Sequence, residues 1–217
     1  MNKPRAVLFD FDGVVVDSFE VHYNAWSGAY FEIFKNKAPD FPTATHAGKA
    51  PILIAKYFCE LGGDTSQTQN LHDLKAELLH SSSKPPKLLP GVRELTQLLK
   101  SKNIPFGIAS NATKQFIQNS IEQLALDFEI FTGVEDYKFP KPHPEAYLSL
   151  ANKLSISEHE LSSTWVLEDS TTGISAAKQG NMVPIGILTH RPESALIQAG
   201  SKKQFKNLLE VYNFLAD

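Results

Sequence analysis

The sequence predicts an α/β protein, an open parallel sheet whose first strand is followed by an all-helical insertion. Short uninterrupted apolar runs recur along the chain, the pattern of strands buried on both faces of a parallel sheet. Segments with helical periodicity separate them, so strands and helices alternate as in right-handed β-α-β units. The alternation stops between about residue 17 and residue 87, where the patterning is helical only. This divides the chain into a sheet core, 1–16 with 88–217, and an insertion, 17–87.

Ala6-Val7-Leu8-Phe9 gives the first strand. In the insertion, Ser18 suits the N-cap of a helix carrying Val21, Ala25, Trp26 and Ala29. Pro51 suits the first turn of a second helix, which ends near Gly62-Gly63. Ser66 suits the cap of a third helix, with Leu71, Leu74, Leu78 and Leu79. Ser81-Ser82-Ser83-Lys84-Pro85-Pro86 reads as the linker back to the core. Beyond it, Val92, Leu95, Leu98 and Leu99 share a helix face after Pro90-Gly91. The remaining strands are expected at Pro105–Ala109, Glu129–Phe131, Trp165–Leu167 and Pro184–Leu188. Two further helical stripes are Phe116, Ile117, Ile121 and Leu124, then Tyr147, Leu148, Ala151 and Leu154.

Composition narrows the function classes. At 217 residues the chain suits one large domain, or a core with a smaller insertion. A hydrophobic content of 42% is enough to build a core. The net charge of −3 and the scattered lysines leave no footprint for nucleic acid. The densest basic cluster, Lys202-Lys203 with Lys206, reads as a solvated helix face. The single cysteine, Cys59, excludes an internal disulfide framework and sits in an apolar run, as a buried thiol would. Asp10 and Asp12 interrupt the N-terminal apolar stretch too early for a secretory signal, and no run is long enough to span a bilayer. A cytoplasmic enzyme without a membrane partner is the expectation. The sequence does not fix an oligomeric state, and a monomer is compatible with it.

Asp10-Phe11-Asp12-Gly13 follows the first strand directly. Ligands of open α/β sheets bind outside the carboxyl ends of the strands, so both carboxylates fall where chemistry would sit. A calcium-loop reading fails, because Gly13 is at the fourth position and Val14 stands where an oxygen ligand is needed. Ser110-Asn111 follows the next core strand. Lys141 lies in Lys138-Phe139-Pro140-Lys141-Pro142-His143-Pro144, where three prolines stiffen a loop. Glu168-Asp169-Ser170 closes a later strand, with Gly173 beyond it. Each residue also has a structural reading: Ser110 and Asp169 as helix caps, Lys141 as a surface lysine. Their joint placement at strand ends is what those readings leave unexplained.

In these four segments the sequence resembles the haloacid dehalogenase superfamily, in particular its helically capped β-phosphoglucomutase and phosphoglycolate phosphatase-like subgroup. Asp10-Phe11-Asp12-Gly13-Val14 is similar to its first motif and Ser110-Asn111 to its second. Lys141-Pro142-His143-Pro144-Glu145 is similar to the third, and Glu168-Asp169-Ser170 with Gly173 to the fourth. The resemblance runs from residue 6 to about residue 188, and residues 17–87 match the helical cap inserted into the Rossmann-like core.

The resemblance implies a magnesium-dependent phosphohydrolase acting on a small phosphorylated metabolite. Asp10 would be the nucleophile, forming an aspartyl-phosphate, which splits one hard displacement into two easier ones. Asp12 would protonate the leaving oxygen and then activate water, a role that requires its carboxyl to hold a proton near neutral pH. Mg²⁺ would take Asp10, the backbone carbonyl of Asp12 and Asp169, all hard oxygen donors. Glu168 would stand behind the ligands, acting through water. Ser110, the backbone near Asn111 and Lys141 would meet the phosphoryl group. His22 fits a histidine that orients the general acid in mutase-like members, and equally a polar position on the first cap helix. A phosphosugar mutase and a non-catalytic binding module are the other functional readings. Against the mutase, Pro51 stands three residues after Gly48, where mutases carry an arginine. No arginine occurs between Arg5 and Arg93. His46, Lys49 and Lys56 are candidate substrate contacts within the cap.

Overall fold

The structure is a computed structural model and describes residues 3–40 and 51–216. His46, Gly48 and Lys49 lie outside the described residues. Two compact units are present: Met1–Asp17 with Lys87–Asp217, and Ser18–Pro86.

The first unit is built on a six-stranded, all-parallel sheet of β1 (Ala6–Phe9), β4 (Phe106–Ala109), β5 (Phe131–Thr132), β6 (Thr164–Glu168), β7 (Val183–Ile187) and β8 (Lys203–Phe205). Its order is β5-β4-β1-β6-β7-β8. Strand order therefore reverses at β1, where a crevice opens at the carboxyl edge of such sheets. Side chains alternate across the sheet, and both faces are covered. Leu8 and Val166 lie in a core with Tyr147, Leu150 and Ala151 of α6 (Glu145–Lys153) and with Ala176 and Ala177 of α7 (Thr171–Gln179). Phe9 points the other way, edge-on to Phe106 and Phe128 at 6.2 and 5.3 Å. Burial on both sides is why β1 is apolar at every position. Helices α4 (Val92–Ser101), α5 (Lys114–Gln123), α8 (Glu193–Ala199) and α9 (Leu208–Ala216) complete the layers.

Several sequence expectations need correction. The strand expected at Glu129–Phe131 is Phe131–Thr132, although the Ile130 carbonyl still accepts from Ile108 N at 3.1 Å. Lys203 is not on a helix; it opens edge strand β8, its ammonium lying 4.4 Å from the centre of the Phe214 ring. Charge on an edge strand discourages pairing with another chain, which a helix-face reading overlooks. On α6 the buried stripe is Ala146, Tyr147, Leu150 and Ala151, while Leu148 is exposed. A short antiparallel ribbon, β2 (Val16–Asp17) with β3 (Lys87–Leu88), pairs Asp17 with Lys87 where the chain leaves and re-enters this unit.

The second unit contains α1 (Phe19–Phe34), α2 (Pro51–Gly62) and α3 (Thr68–His80). Trp26, Tyr30, Phe58, Cys59 and Leu71 form its core, with Trp26 stacked on Phe58 at 5.6 Å. Ser18 occupies the N-cap position of α1 but makes no side-chain capping bond. Ser66 does not cap α3. It lies in a 3₁₀ turn, Thr65–Gln67, where Asp64 Oδ1 accepts from Ser66 N at 3.0 Å, and the α-helix starts only at Thr68. No helix among the described residues is long and apolar enough to cross a membrane.

Candidate functional site

The carboxyl edge of the sheet gathers the acids. Asp10 follows β1 directly, and its N–H donates to the Leu167 carbonyl at 2.9 Å, tying it to β6. The chain then folds back: the Phe11 carbonyl accepts from Val15 N at 2.9 Å and Val16 N at 3.1 Å, and Gly13 N donates to the Val16 carbonyl at 2.7 Å. Gly13 has φ +83°. A side chain there would be strained, and its Cβ would collide with the Asp169 carboxylate. The glycine thus admits the first loop against the end of β6.

Lys141 is the hub. Its ammonium donates to Asp10 Oδ1 at 2.7 Å, Glu168 Oε1 at 2.8 Å, the Ala109 carbonyl at 3.0 Å and Tyr147 OH at 2.8 Å. Only 4% of its side chain is exposed, so the surface-lysine reading is excluded. Burial alone would favour the neutral amine, yet Asp10 and Glu168 outweigh it and hold the pKa above the ordinary lysine value. Asp10 is pushed well above the usual carboxylate range by burial and then by Glu168, with Lys141 opposing.

Glu168 and Asp169 are adjacent but differently occupied. Glu168, the last residue of β6, accepts from Lys141 and Tyr147 OH (2.6 Å) on Oε1, and from Ser170 N (3.1 Å) and Ser170 Oγ (2.8 Å) on Oε2. A carboxylate has about four acceptor positions, and here all are used. Asp169 lies beyond the strand and meets His190 Nδ1 at 2.7 Å through Oδ2. Burial raises its pKa, and the His190 hydrogen bond opposes that. The same bond to Asp169 raises the pKa of His190.

Ser110 ends at the same edge after β4. Its hydroxyl lies 3.4 Å from Asp12 Oδ2 and accepts from Ala112 N at 3.0 Å. Asn111 Oδ1 accepts from Lys141 N at 3.3 Å, and Tyr137 OH lies 2.9 Å from it and 2.7 Å from the Ser110 carbonyl. The Asn111 side-chain oxygen is therefore engaged in fixing the Lys141 loop. His22 belongs to the second unit, where its Nδ1 lies 3.0 Å from Lys75 Nζ. Lys56 is exposed there.

Three polar residues escape the sequence reading, Tyr147 and His190 at this site and Lys75 in the second unit. Tyr147 was assigned only to an apolar stripe, yet its hydroxyl bridges Lys141 and Glu168. Lys75 is buried among the leucines of α3, its ammonium 5.2 Å from the centre of the Trp26 ring. His190 follows the Pro184–Leu188 run by two residues, so the strand-end rule that singled out Ser110 and Asp169 would also have found it.

Oxygens of Asp10, Glu168 and Asp169 lie within 4.8 Å of one another, a buried acidic cluster of the kind that holds a divalent metal. The chemistry of the donors fits such an ion. All are hard oxygens, and three carboxylates outnumber the Lys141 ammonium in their midst. Asp10 Oδ2 and Asp169 Oδ1 take no hydrogen bond from a described residue, whereas Glu168 is saturated.

Residues 7–187 match the family model described as haloacid dehalogenase-like hydrolase. The chain is similar to the beta-phosphoglucomutase of Bacillus subtilis, 28% identical over 200 residues, covering 87% of this chain and 85% of that one. It is also similar to hexitol phosphatase B of Escherichia coli, 26% identical over 199 residues and 84% of each chain. In fold it resembles a crystal structure of beta-phosphoglucomutase from Clostridium difficile, with a TM-score of 0.78 at 22% identity over 98% of this chain and 99% of that one. The chain belongs to the haloacid dehalogenase-like hydrolase family and is a phosphatase-type hydrolase with an aspartate-centred site.

Proposed function

We propose that the protein hydrolyses the phosphate monoester of a small metabolite through an aspartyl-phosphate on Asp10. The observation that carries the reading is the Asp10 carboxylate itself. It sits at the end of the central strand with Oδ1 on the buried Lys141 ammonium, Oδ2 without a hydrogen bond from a described residue, and one of its oxygens within 4.8 Å of Asp169. In the first step an Asp10 oxygen attacks phosphorus, the bond to the ester oxygen breaks, and the Asp12 carboxyl gives that oxygen its proton. In the second, water attacks the same phosphorus, Asp12 takes the water proton, and Asp10 and inorganic phosphate are released. Lys141 balances charge on the phosphoryl oxygens, and the Ser110 hydroxyl with the Asn111 backbone orients them; losing one such donor costs about 10²–10³ in rate. Mg²⁺, held by Asp10, Asp169 and the Asp12 carbonyl, would supply further positive charge opposite the transferring group. Glu168 anchors Lys141 from behind rather than ligating. Residues 1–16 with 88–217 serve as the catalytic core and 17–87 as the cap in which substrate selection resides.

Hydrolysis is favoured over a mutase cycle. A mutase must grip a second phosphate in its cap, and arginine does this bidentately where lysine does not. The cap has no arginine, since none lies between Arg5 and Arg93. The test is phosphate release across sugar phosphates, nucleoside monophosphates and phosphoglycolate with Mg²⁺. A second arm supplies β-glucose 1-phosphate with a trace of the 1,6-bisphosphate. Release from at least one substrate is expected; isomerisation outpacing release would establish the mutase reading instead.

A further inference from the structure

We infer that His190 is a positioning residue, fixing the Asp169 carboxylate for the cation, an inference that rests on the metal reading above. Strands β6 and β7 pair in parallel, with Glu168 opposite Gly186, so the segments that follow them leave the same edge. Past β7 the chain is held by Leu188 N on the Phe205 carbonyl at 2.9 Å and Thr189 N on the Ile187 carbonyl at 3.0 Å. That delivers the His190 ring to Asp169, with Nδ1 2.7 Å from Oδ2. An ionised carboxylate only accepts, so Nδ1 carries the proton.

The three acids differ in how they are held. Glu168 is fixed by Lys141, Tyr147 and Ser170, and Asp10 by Lys141. Among the described residues, His190 is the one hydrogen-bond partner of Asp169. The backbone of Gly13 lies against the same oxygen, where a Cβ would meet both Asp169 Oδ2 and, at 2.8 Å, His190 Nδ1. Asp169 Oδ2 is thus packed against a glycine, which supplies shape without a hydrogen bond, and held by one imidazole. With Oδ2 occupied by Nδ1–H, Oδ1 is left for the cation. Removing the ring frees the carboxylate to rotate and lowers its fitness as a ligand.

The test measures Mg²⁺ affinity by isothermal titration calorimetry for His190→Ala, His190→Asn, His190→Gln and Asp169→Asn, with metal-free Tm alongside. The asparagine amide stands as many bonds from the backbone as Nδ1 does, and the glutamine amide matches Nε2. His190→Ala should weaken Mg²⁺ about 10- to 100-fold, with metal-free Tm little changed. His190→Asn should recover most of the affinity and His190→Gln should not. Wild-type affinity in His190→Ala, with binding lost in Asp169→Asn, would overturn the inference and leave the metal site intact. Equal loss in the asparagine and glutamine variants would also overturn it, since a loss indifferent to donor position is not positioning. Unchanged affinity in Asp169→Asn would remove the metal reading itself, and the inference with it.

Discussion

At the scale of single residues, the site is a charge balance in which three buried carboxylates gather around one end of the sheet. Lys141 is the one buried ammonium among Asp10, Glu168 and Asp169. Replacing Asp10 by asparagine removes a negative charge from this crowded set and keeps the shape. Asp10→Asn should therefore lose more than nine-tenths of turnover while its metal-free Tm stays at or above that of the wild type. A melting curve beside a phosphate assay checks both, and retained turnover would refute the nucleophile assignment. Lys141→Ala should fail in the opposite sense, losing activity and about 3–5 kcal/mol of stability, because removing one partner strands buried carboxylates. Denaturant unfolding reads that loss. These residues were legible because acids, a hydroxyl and a lysine stood directly after apolar strand runs. Tyr147 was not, because its ring obeys the core pattern while its hydroxyl does the polar work. A residue buried for two reasons shows only one of them in a periodicity.

At the scale of elements, close packing between a helix start and a strand end sets the geometry. Helix α7 begins at Thr171, with Ser170 Oγ accepting from Gly173 N at 3.0 Å. Gly173 lies directly against Glu168, and a Cβ there would overlap its carboxylate. Gly173→Ala is expected to cost about 1–3 kcal/mol, the usual penalty for overpacking. It should also reduce activity by displacing the acid that anchors Lys141. Gly63→Ala is the contrast. It has φ +82° and nothing within 4 Å of the added Cβ. Only the left-handed backbone is penalised there, by about 1–2 kcal/mol, and activity should persist. Parallel loss of activity in both variants would show that Gly173 acts through stability alone. The elements legible in the sequence were those with enough apolar residues to display a period. Ribbon strands β2 and β3 have two residues each, too few for any alternation, and β8 carries a lysine at its head. Their pairing is fixed by tertiary context, which no local pattern contains.

At the scale of the whole molecule, the two units carry separate reporters, which makes the proposed metal site testable without a substrate. The chain has two tryptophans. Trp165 is buried in β6, three residues before Glu168, and Trp26 lies in the core of the other unit. The insertion was legible as a break in the strand-helix alternation, and each unit proved to have received one indole. A ligand that binds only the folded state stabilises it by RT ln(1 + [L]/Kd), about 2.7 kcal/mol at 100 times Kd. For a chain of this size each kcal/mol raises Tm by about 2–4 °C. Saturating Mg²⁺ should therefore raise the transition reported by Trp165, isolated in a Trp26→Phe variant, by about 5–10 °C. Asp169→Asn should abolish that rise, and excess chelator should abolish both the rise and turnover. The reciprocal Trp165→Phe variant reports the second unit, whose transition follows the first only to the extent that the units unfold together. No movement of the Trp165 transition, at Mg²⁺ concentrations that support full turnover, would mean that the acidic cluster at the end of β1 and β6 is not where the cation binds.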